Sequence, residues 1–107
     1  MKEAEFARRI EETMAYLGLR WHHETDSRRT AAGFPDYCIV GPRGVMFLEI
    51  KSNKGVVSPQ QQGWIDDLDG AMWDDSGVDQ QCVLAYVAYP KDWNRVLSDL
   101  KRIAGKG

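Results

Sequence analysis

Residues 33–51 read Gly33-Phe34-Pro35-Asp36-Tyr37-Cys38-Ile39-Val40-Gly41-Pro42-Arg43-Gly44-Val45-Met46-Phe47-Leu48-Glu49-Ile50-Lys51, and this stretch decides the fold. Two strand-like runs, Tyr37–Val40 and Val45–Lys51, flank Gly41-Pro42-Arg43-Gly44, whose Gly and Pro chemistry predicts a tight hairpin. Side chains alternate between the two faces of a strand. Met46, Leu48 and Ile50 therefore share one face, and Glu49 and Lys51 share the other. Two positions along a strand span about 6.5 Å, so this acid and base can act on one phosphate or one water.

Asp36 stands thirteen positions before Glu49, at the start of the partner strand. Hairpin pairing is expected to bring the two carboxylates together. Paired carboxylates repel unless a cation neutralises them, and hard oxygen ligands with open water positions suit Mg2+ or Mn2+. A cation held there activates water and stabilises charge on a phosphate, with the neighbouring Lys in support. Metal-assisted hydrolysis of a phosphodiester is the expected chemistry.

Upstream of the hairpin, Phe6, Ile10, Met14 and Leu17 recur at helical spacing, predicting an amphipathic helix over 3–17 that stops at Gly18. A short strand is expected around Leu19–His23. It leads into a polar, basic loop of Thr25, Asp26, Ser27, Arg28, Arg29 and Thr30 that ends at Gly33. Downstream, Ser58 offers an N-cap, Pro59 fits the first helical position, and Gln61 stands where a capping box places Glu or Gln. The resulting helix should run from Pro59 to about Leu68.

Cys82–Tyr89 is a nearly continuous apolar run, the pattern of an inner strand covered on both faces. Pro90 and Asp92 open a last helix that carries Trp93, Val96, Leu97, Leu100 and Ile103 on one face and ends at Gly105. Helix, two or three strands, helix, strand, helix is an α/β order, with a mixed sheet and helices on its faces.

The chain has 107 residues, 43% of them apolar, which suits a single domain over 1–107 with an aromatic-rich core. No run reaches the roughly 18 apolar residues of a membrane span, and the charged start lacks a signal peptide's apolar stretch, so a cytoplasmic protein without a membrane partner is expected. Cys38 and Cys82 lack CxxC spacing and read as reduced thiols.

Formal charge is −2, which argues against strong non-specific nucleic-acid binding. The average hides an asymmetry. Nine of the fourteen basic residues precede Gly55, while Asp66–Asp79 holds six Asp and no Lys or Arg. One side is suited to phosphate and another repels it.

Pro35-Asp36 followed by Glu49-Ile50-Lys51 resembles the PD-(D/E)XK nuclease superfamily, with its restriction-endonuclease-like fold. Gly33-Phe34-Pro35-Asp36, Phe47-Leu48-Glu49-Ile50-Lys51 and Ser58-Pro59-Gln60-Gln61-Gln62-Gly63-Trp64 together are similar to its VRR-NUC branch, known from phage nucleases and related to junction-resolving enzymes. The likeness spans residues 3 to about 68. It implies a Mg2+- or Mn2+-dependent DNA endonuclease with no organic cofactor. Asp36, Glu49 and the backbone carbonyl of Ile50 would be metal ligands, joined by a Glu of the first helix, and Lys51 would be the catalytic lysine. Both Glu3 and Glu5 fit that helical position, with Glu3 slightly preferred. Gln61 matches the Gln this branch carries on the helix after the lysine, and a phage-encoded chain would act in the host cytoplasm.

Plainer roles stand beside these. Capping alone would explain Gln61, although it shares a helical face with Trp64, Ile65 and Leu68 that should look toward the sheet. Ser27, Arg28, Arg29 and Lys54 are candidate DNA contacts or ordinary solvated loop residues. His22 and His23 point to opposite faces of a strand, which favours packing or surface roles over a metal pair. Residues 70–81 are an insertion relative to the branch: a dimer contact, a device that excludes the wrong DNA geometry, or a solvated acidic loop. A homodimer is expected, since so small a chain offers little DNA footprint and two copies present two active sites. The other function classes weighed are a non-catalytic nucleic-acid-binding or assembly module and a phosphoesterase acting on small nucleotides, which a Gly-rich phosphate loop would have supported.

Overall fold

A computed structural model describes residues 1–24, 32–71 and 82–106. Helix α1 spans Glu3–Leu17 and buries Phe6, Ile10, Met14 and Leu17, the four residues whose spacing predicts it. Gly18, at φ 73, closes the helix in the left-handed conformation, with its N–H bonded to the carbonyl of Ala15. The chain then enters strand β1, Arg20–His23. Ser27, Arg28 and Arg29 lie outside the described residues, as does most of the inserted acidic segment.

Strands β2, Tyr37–Gly41, and β3, Gly44–Ile50, form the expected hairpin, pairing antiparallel from Tyr37↔Leu48 to Gly41↔Gly44. Gly41 is required by packing. A Cβ there would come within 2.3 Å of the Ile103 carbonyl oxygen, so only glycine lets the hairpin end lie against the C-terminal helix. The next residue but one is tied to the same carbonyl, through Arg43 N–H at 2.9 Å.

Helix α2 runs Pro59–Ala71, a little past the expected end. Strand β4, Cys82–Ala88, pairs parallel with β3, from Gly44↔Cys82 to Ile50↔Ala88. A parallel pair needs a crossover between its strands, which is the stretch that contains α2. A 3₁₀ turn at Pro90–Asp92 leads into helix α3, Trp93–Ala104.

Sheet order is β1-β2-β3-β4, antiparallel except at β3–β4. This corrects one expectation. The apolar run of Cys82–Tyr89 points to an inner strand, yet β4 ends the order among the described residues and neighbours β3 alone. Its apolar character has a different cause, because both α2 and α3 pack against it. Cover by helices makes the same demand on side chains as cover by neighbouring sheet layers.

The main core lies on one face of the sheet. Tyr37 and Ile39 of β2, Met46, Leu48 and Ile50 of β3, and Tyr86 and Ala88 of β4 meet the apolar faces of α1 and α3. Burying each large side chain there contributes about 1.5–3 kcal/mol. The opposite face carries Phe47, Glu49 and Lys51, and α2 approaches that side, with Ile65 buried at 5% exposure. The functional residues emerge on this second face and at the sheet end where β2 begins and β3 finishes.

Candidate active site

Asp36 immediately precedes β2, so extending the Tyr37↔Leu48 register by one step sets it opposite Glu49. Its Oδ2 accepts a hydrogen bond from Ile50 N–H at 2.8 Å. That bond holds the carboxylate across the end of β3. The Asp36 carbonyl in turn accepts from Glu24 N–H at 2.8 Å, which fastens the same residue to the end of β1.

Glu49 is 3% exposed and is the one buried charged side chain among the described residues. Its Oε2 accepts from Gln61 Nε2 at 3.0 Å and lies 3.6 Å from Lys51 Nζ. Its Oε1 is buried with no hydrogen-bond partner. Burial pushes the Glu49 carboxyl up to about 7, the nearby Asp36 charge adds to the rise, and Lys51 opposes it. An ionised carboxylate in this position is costly unless something positive meets the orphaned oxygen.

Three local devices hold the set. Ser58 Oγ accepts from Gln61 N–H at 3.1 Å while Gln61 Oε1 accepts from Ser58 N–H at 2.9 Å, a reciprocal capping box at the start of α2. Gln61 therefore caps with its oxygen and holds Glu49 with its nitrogen. Capping and contact with the acidic site are one arrangement, both ends of a single amide being used.

The second device is Gly33. At φ 84 it lies so close to α2 that a Cβ would fall 2.6 Å from the Gln60 carbonyl carbon and 2.7 Å from Gln61 N. Phe34 then wedges edge-on against Phe47 and Trp64, with ring centroids 6.3 and 5.1 Å away. Trp64 Nε1–H donates to the Ala32 carbonyl at 3.2 Å. Gly-Phe-Pro is thus the clamp that aims Asp36. The third device is the turn after β3, where Gly55 sits on the methylenes of Lys51; a Cβ at Gly55 would meet Lys51 Cβ at 3.0 Å.

Two grooves flank Asp36 and share it as a wall. One, of about 390 Å³, faces α2 and includes Glu24, Asp36, Glu49, Ser58 and Gln61. The other, of about 380 Å³, faces α1 and includes Glu3, Arg8, Glu11, His23, Asp36 and Ile50.

Among the described residues no group of three or more His, Cys, Asp or Glu is assembled closely enough to hold a metal ion. Two carboxylates with a backbone carbonyl and water are nevertheless a donor set suited to a small hard cation that keeps several of its waters. The orphaned Glu49 Oε1 is the feature that such an ion fits.

The sequence candidates divide accordingly. Asp36, Glu49, Ile50, Lys51 and Gln61 are together. Glu3 and Glu5 are both exposed; Glu3 shares the α1-side groove with Asp36, whereas Glu5 lines neither groove. Lys54 is exposed on the turn beyond Lys51. Sequence reasoning missed Glu11, whose carboxylate accepts the Tyr37 hydroxyl proton and lies 3.8 Å from His23 Nδ1. The signal was present, because Glu3, Ala7 and Glu11 repeat every four residues along one helical face. Glu24 was missed as well, and no local pattern marks it.

The sequence model of the VRR-NUC domain matches residues 3–86 of the chain. No curated protein matches it. A solved structure of a VRR_NUC domain protein superposes with a TM-score of 0.59 at 20% identity, over 100% of this chain and 91% of the other. At that identity the superposition speaks for the fold alone.

Proposed function

Because the chain belongs to the VRR-NUC domain family, within the PD-(D/E)XK nuclease superfamily, we propose that it is a divalent-metal-dependent endonuclease that hydrolyses DNA phosphodiester bonds. The observation that carries this reading is Glu49: a buried carboxylate with one unpartnered oxygen, beside Asp36 and 3.6 Å from Lys51. A charged group kept in so costly a place is a functional candidate on physical grounds.

Asp36, Glu49 and the Ile50 carbonyl would hold Mg2+ or Mn2+, with Glu3 of α1 completing the acidic set. Such a cation supplies Lewis-acid activation of water and offsets negative charge building on the phosphate. Lys51, its stem fixed by the Gly55 turn, directs its ammonium toward the attacking water or the phosphate oxygens. Gln61 holds Glu49 in one rotamer, as outer groups do for metal-binding carboxylates. Ser27, Arg28, Arg29 and Lys54 supply phosphate contacts, and cleavage leaves a 5′-phosphate. The substrate is a junction, flap, nick or plain duplex, and a second copy of the chain gives the pair of sites needed to cut two strands.

The test incubates the purified protein with supercoiled, linear and four-way-junction DNA in Mg2+, Mn2+ or EDTA, alongside Glu49→Ala and Lys51→Ala. Cleavage in either metal, absent in EDTA and in both variants, is the expected result. Cleavage indifferent to both substitutions overturns the site assignment. Tight DNA binding with no cleavage of any substrate replaces the enzyme with a non-catalytic binding module.

A further inference from the structure

The α1-side groove holds a second constellation that metal binding and Lys51 do not use. Tyr37 is fully buried and donates its hydroxyl proton to Glu11 of α1. His23, at the end of β1, pairs with Tyr37 across the β1–β2 ladder and stacks flat on its ring, with centroids 4.4 Å apart and planes at 8°. His23 Nδ1 lies 3.8 Å from the same Glu11 oxygen. One carboxylate thus meets both the phenol and the imidazole. The imidazole side chain is 41% exposed, and together with Asp36 it lines the groove.

Hydrolysis of a phosphodiester needs more than an activated water, because the departing 3′ oxygen is a poor leaving group until it receives a proton. On the nuclease reading Lys51 serves the attacking side; it lies beside Glu49 and lines neither groove. Among the described residues, the groups of that groove that could donate a proton are Arg8, His23 and Tyr37. Arg does not release a proton in proteins. Tyr37 is fully buried and its hydroxyl proton is already engaged by Glu11, so it cannot reach a leaving oxygen. Among the described residues of the groove, the His23 imidazole is the remaining group of a type that exchanges protons near neutral pH.

We propose that His23 is the general acid of this site and donates its proton to the leaving 3′ oxygen, with Glu11 and Tyr37 as the residues that position it. The inference rests on the nuclease reading. As the water oxygen bonds to phosphorus, the bond from phosphorus to the 3′ oxygen breaks, and that oxygen takes the electron pair. It also takes a proton from the imidazolium. The attacking water loses one proton to solvent, and the neutral imidazole recovers one from solvent. Glu11 faces His23 Nδ1, which leaves Nε2 as the donating nitrogen. Among the described residues, the charged and titratable groups around the ring are Glu11, Glu3 and Arg8 from α1, Asp36 and Tyr37 from the β2 end, His22 of β1 and Glu24 just beyond it, those two 3.4 Å from each other.

The test compares ordinary DNA with the same DNA bearing a sulfur in place of the scissile 3′ oxygen, in Mn2+. A thiolate leaves without protonation, its ordinary pKa being about 8.5. His23→Gln removes the acid, and His23→Phe also removes it while keeping the ring stack on Tyr37; thermal melts verify that each is folded. Both variants should lose about 100-fold in kcat on the oxygen substrate. On the sulfur substrate they should stay within about 3-fold of wild type, and the falling limb of the kcat–pH profile at high pH should disappear. Glu11→Gln should give a smaller loss with the same dependence on leaving group. Equal losses on both substrates, or no loss on either, overturn the general-acid role while leaving the nuclease reading intact. A wild-type protein that cleaves neither substrate overturns both.

Discussion

Neighbouring residues near the end of β3, Leu48 and Ile50 on one face and Glu49 on the other, are about equally buried and opposite in chemistry. Met46, Leu48 and Ile50 are 0, 0 and 2% exposed, and Glu49, between Leu48 and Ile50, is 3% exposed. On the first face burial removes apolar surface from water and holds α1 and α3 to the sheet. On the second, burial penalises a carboxylate, leaves one of its oxygens without a donor, and pushes its pKa up to about 7. One strand therefore stabilises the fold with its even positions and stores an unmet electrostatic demand with Glu49. Equal burial says nothing of equal purpose. The difference lies in what each side chain meets.

The sharpest way to break this contrast is to change the two faces in turn. Glu49→Gln should lower DNA cleavage by about 10³-fold or more, comparable to losing a main electrostatic group of an active site, and should leave the fold intact. A gel-based cleavage assay with a melt on the same sample reads both. Leu48→Ala should do the reverse, costing about 2–5 kcal/mol of stability in urea unfolding while the folded fraction keeps its activity. Loss of stability in the first variant, or loss of specific activity in the second, would mean that the faces are not separable.

A pH series sharpens the electrostatic half. Because the Glu49 carboxyl is raised in the folded state, folding favours its protonated form. That contribution is fully present below the ordinary carboxylate range and is lost as pH rises through about 7. In EDTA, Glu49→Gln should accordingly match wild type near pH 5 and exceed it near pH 8 by about 1–3 kcal/mol. Mn2+ at pH 8 should raise the wild-type melting temperature and leave the variant unmoved. If the pH 8 gap is absent in EDTA, burial does not penalise the Glu49 carboxylate.

The smallest expected effects come from the devices around the site. Gln61→Ala removes both the cap and the donor to Glu49. It should cost about 1 kcal/mol of stability and about 10-fold in cleavage. Gly55→Ala crowds the Lys51 stem, and should lower cleavage several-fold while shifting the melt little, since the turn is at the surface. Activity unchanged in both variants would show that Glu49 and Lys51 need no support from these neighbours.

Much of the site was legible in the sequence because it is local. Glu49 and Lys51 are fixed to one face by strand pitch, and Asp36 is brought opposite Glu49 by a hairpin whose turn is written in Gly41-Pro42-Arg43-Gly44. The Ser58–Gln61 cap is a four-residue motif and was equally readable. Glu11, His23 and Tyr37 were not, since α1, β1 and β2 must dock before they touch. The place of β4 was misread for a related reason. An apolar run records how much of a strand is covered, and helices cover as well as strands do.

The sequence by itself determined the elements, the hairpin, and the side of β3 on which acid and base project, because covalent geometry sets the period of helix and strand. It also determined the family, through short motifs of fixed spacing. Only the tertiary structure decided that Asp36 divides two grooves, that Gln61 serves cap and acid at once, and that His23, which the sequence marks for packing or the surface, stacks on a buried tyrosine against Glu11. Those facts depend on the packing of α1 and α2 against opposite faces of one sheet, a balance of many long-range contacts that no local period encodes.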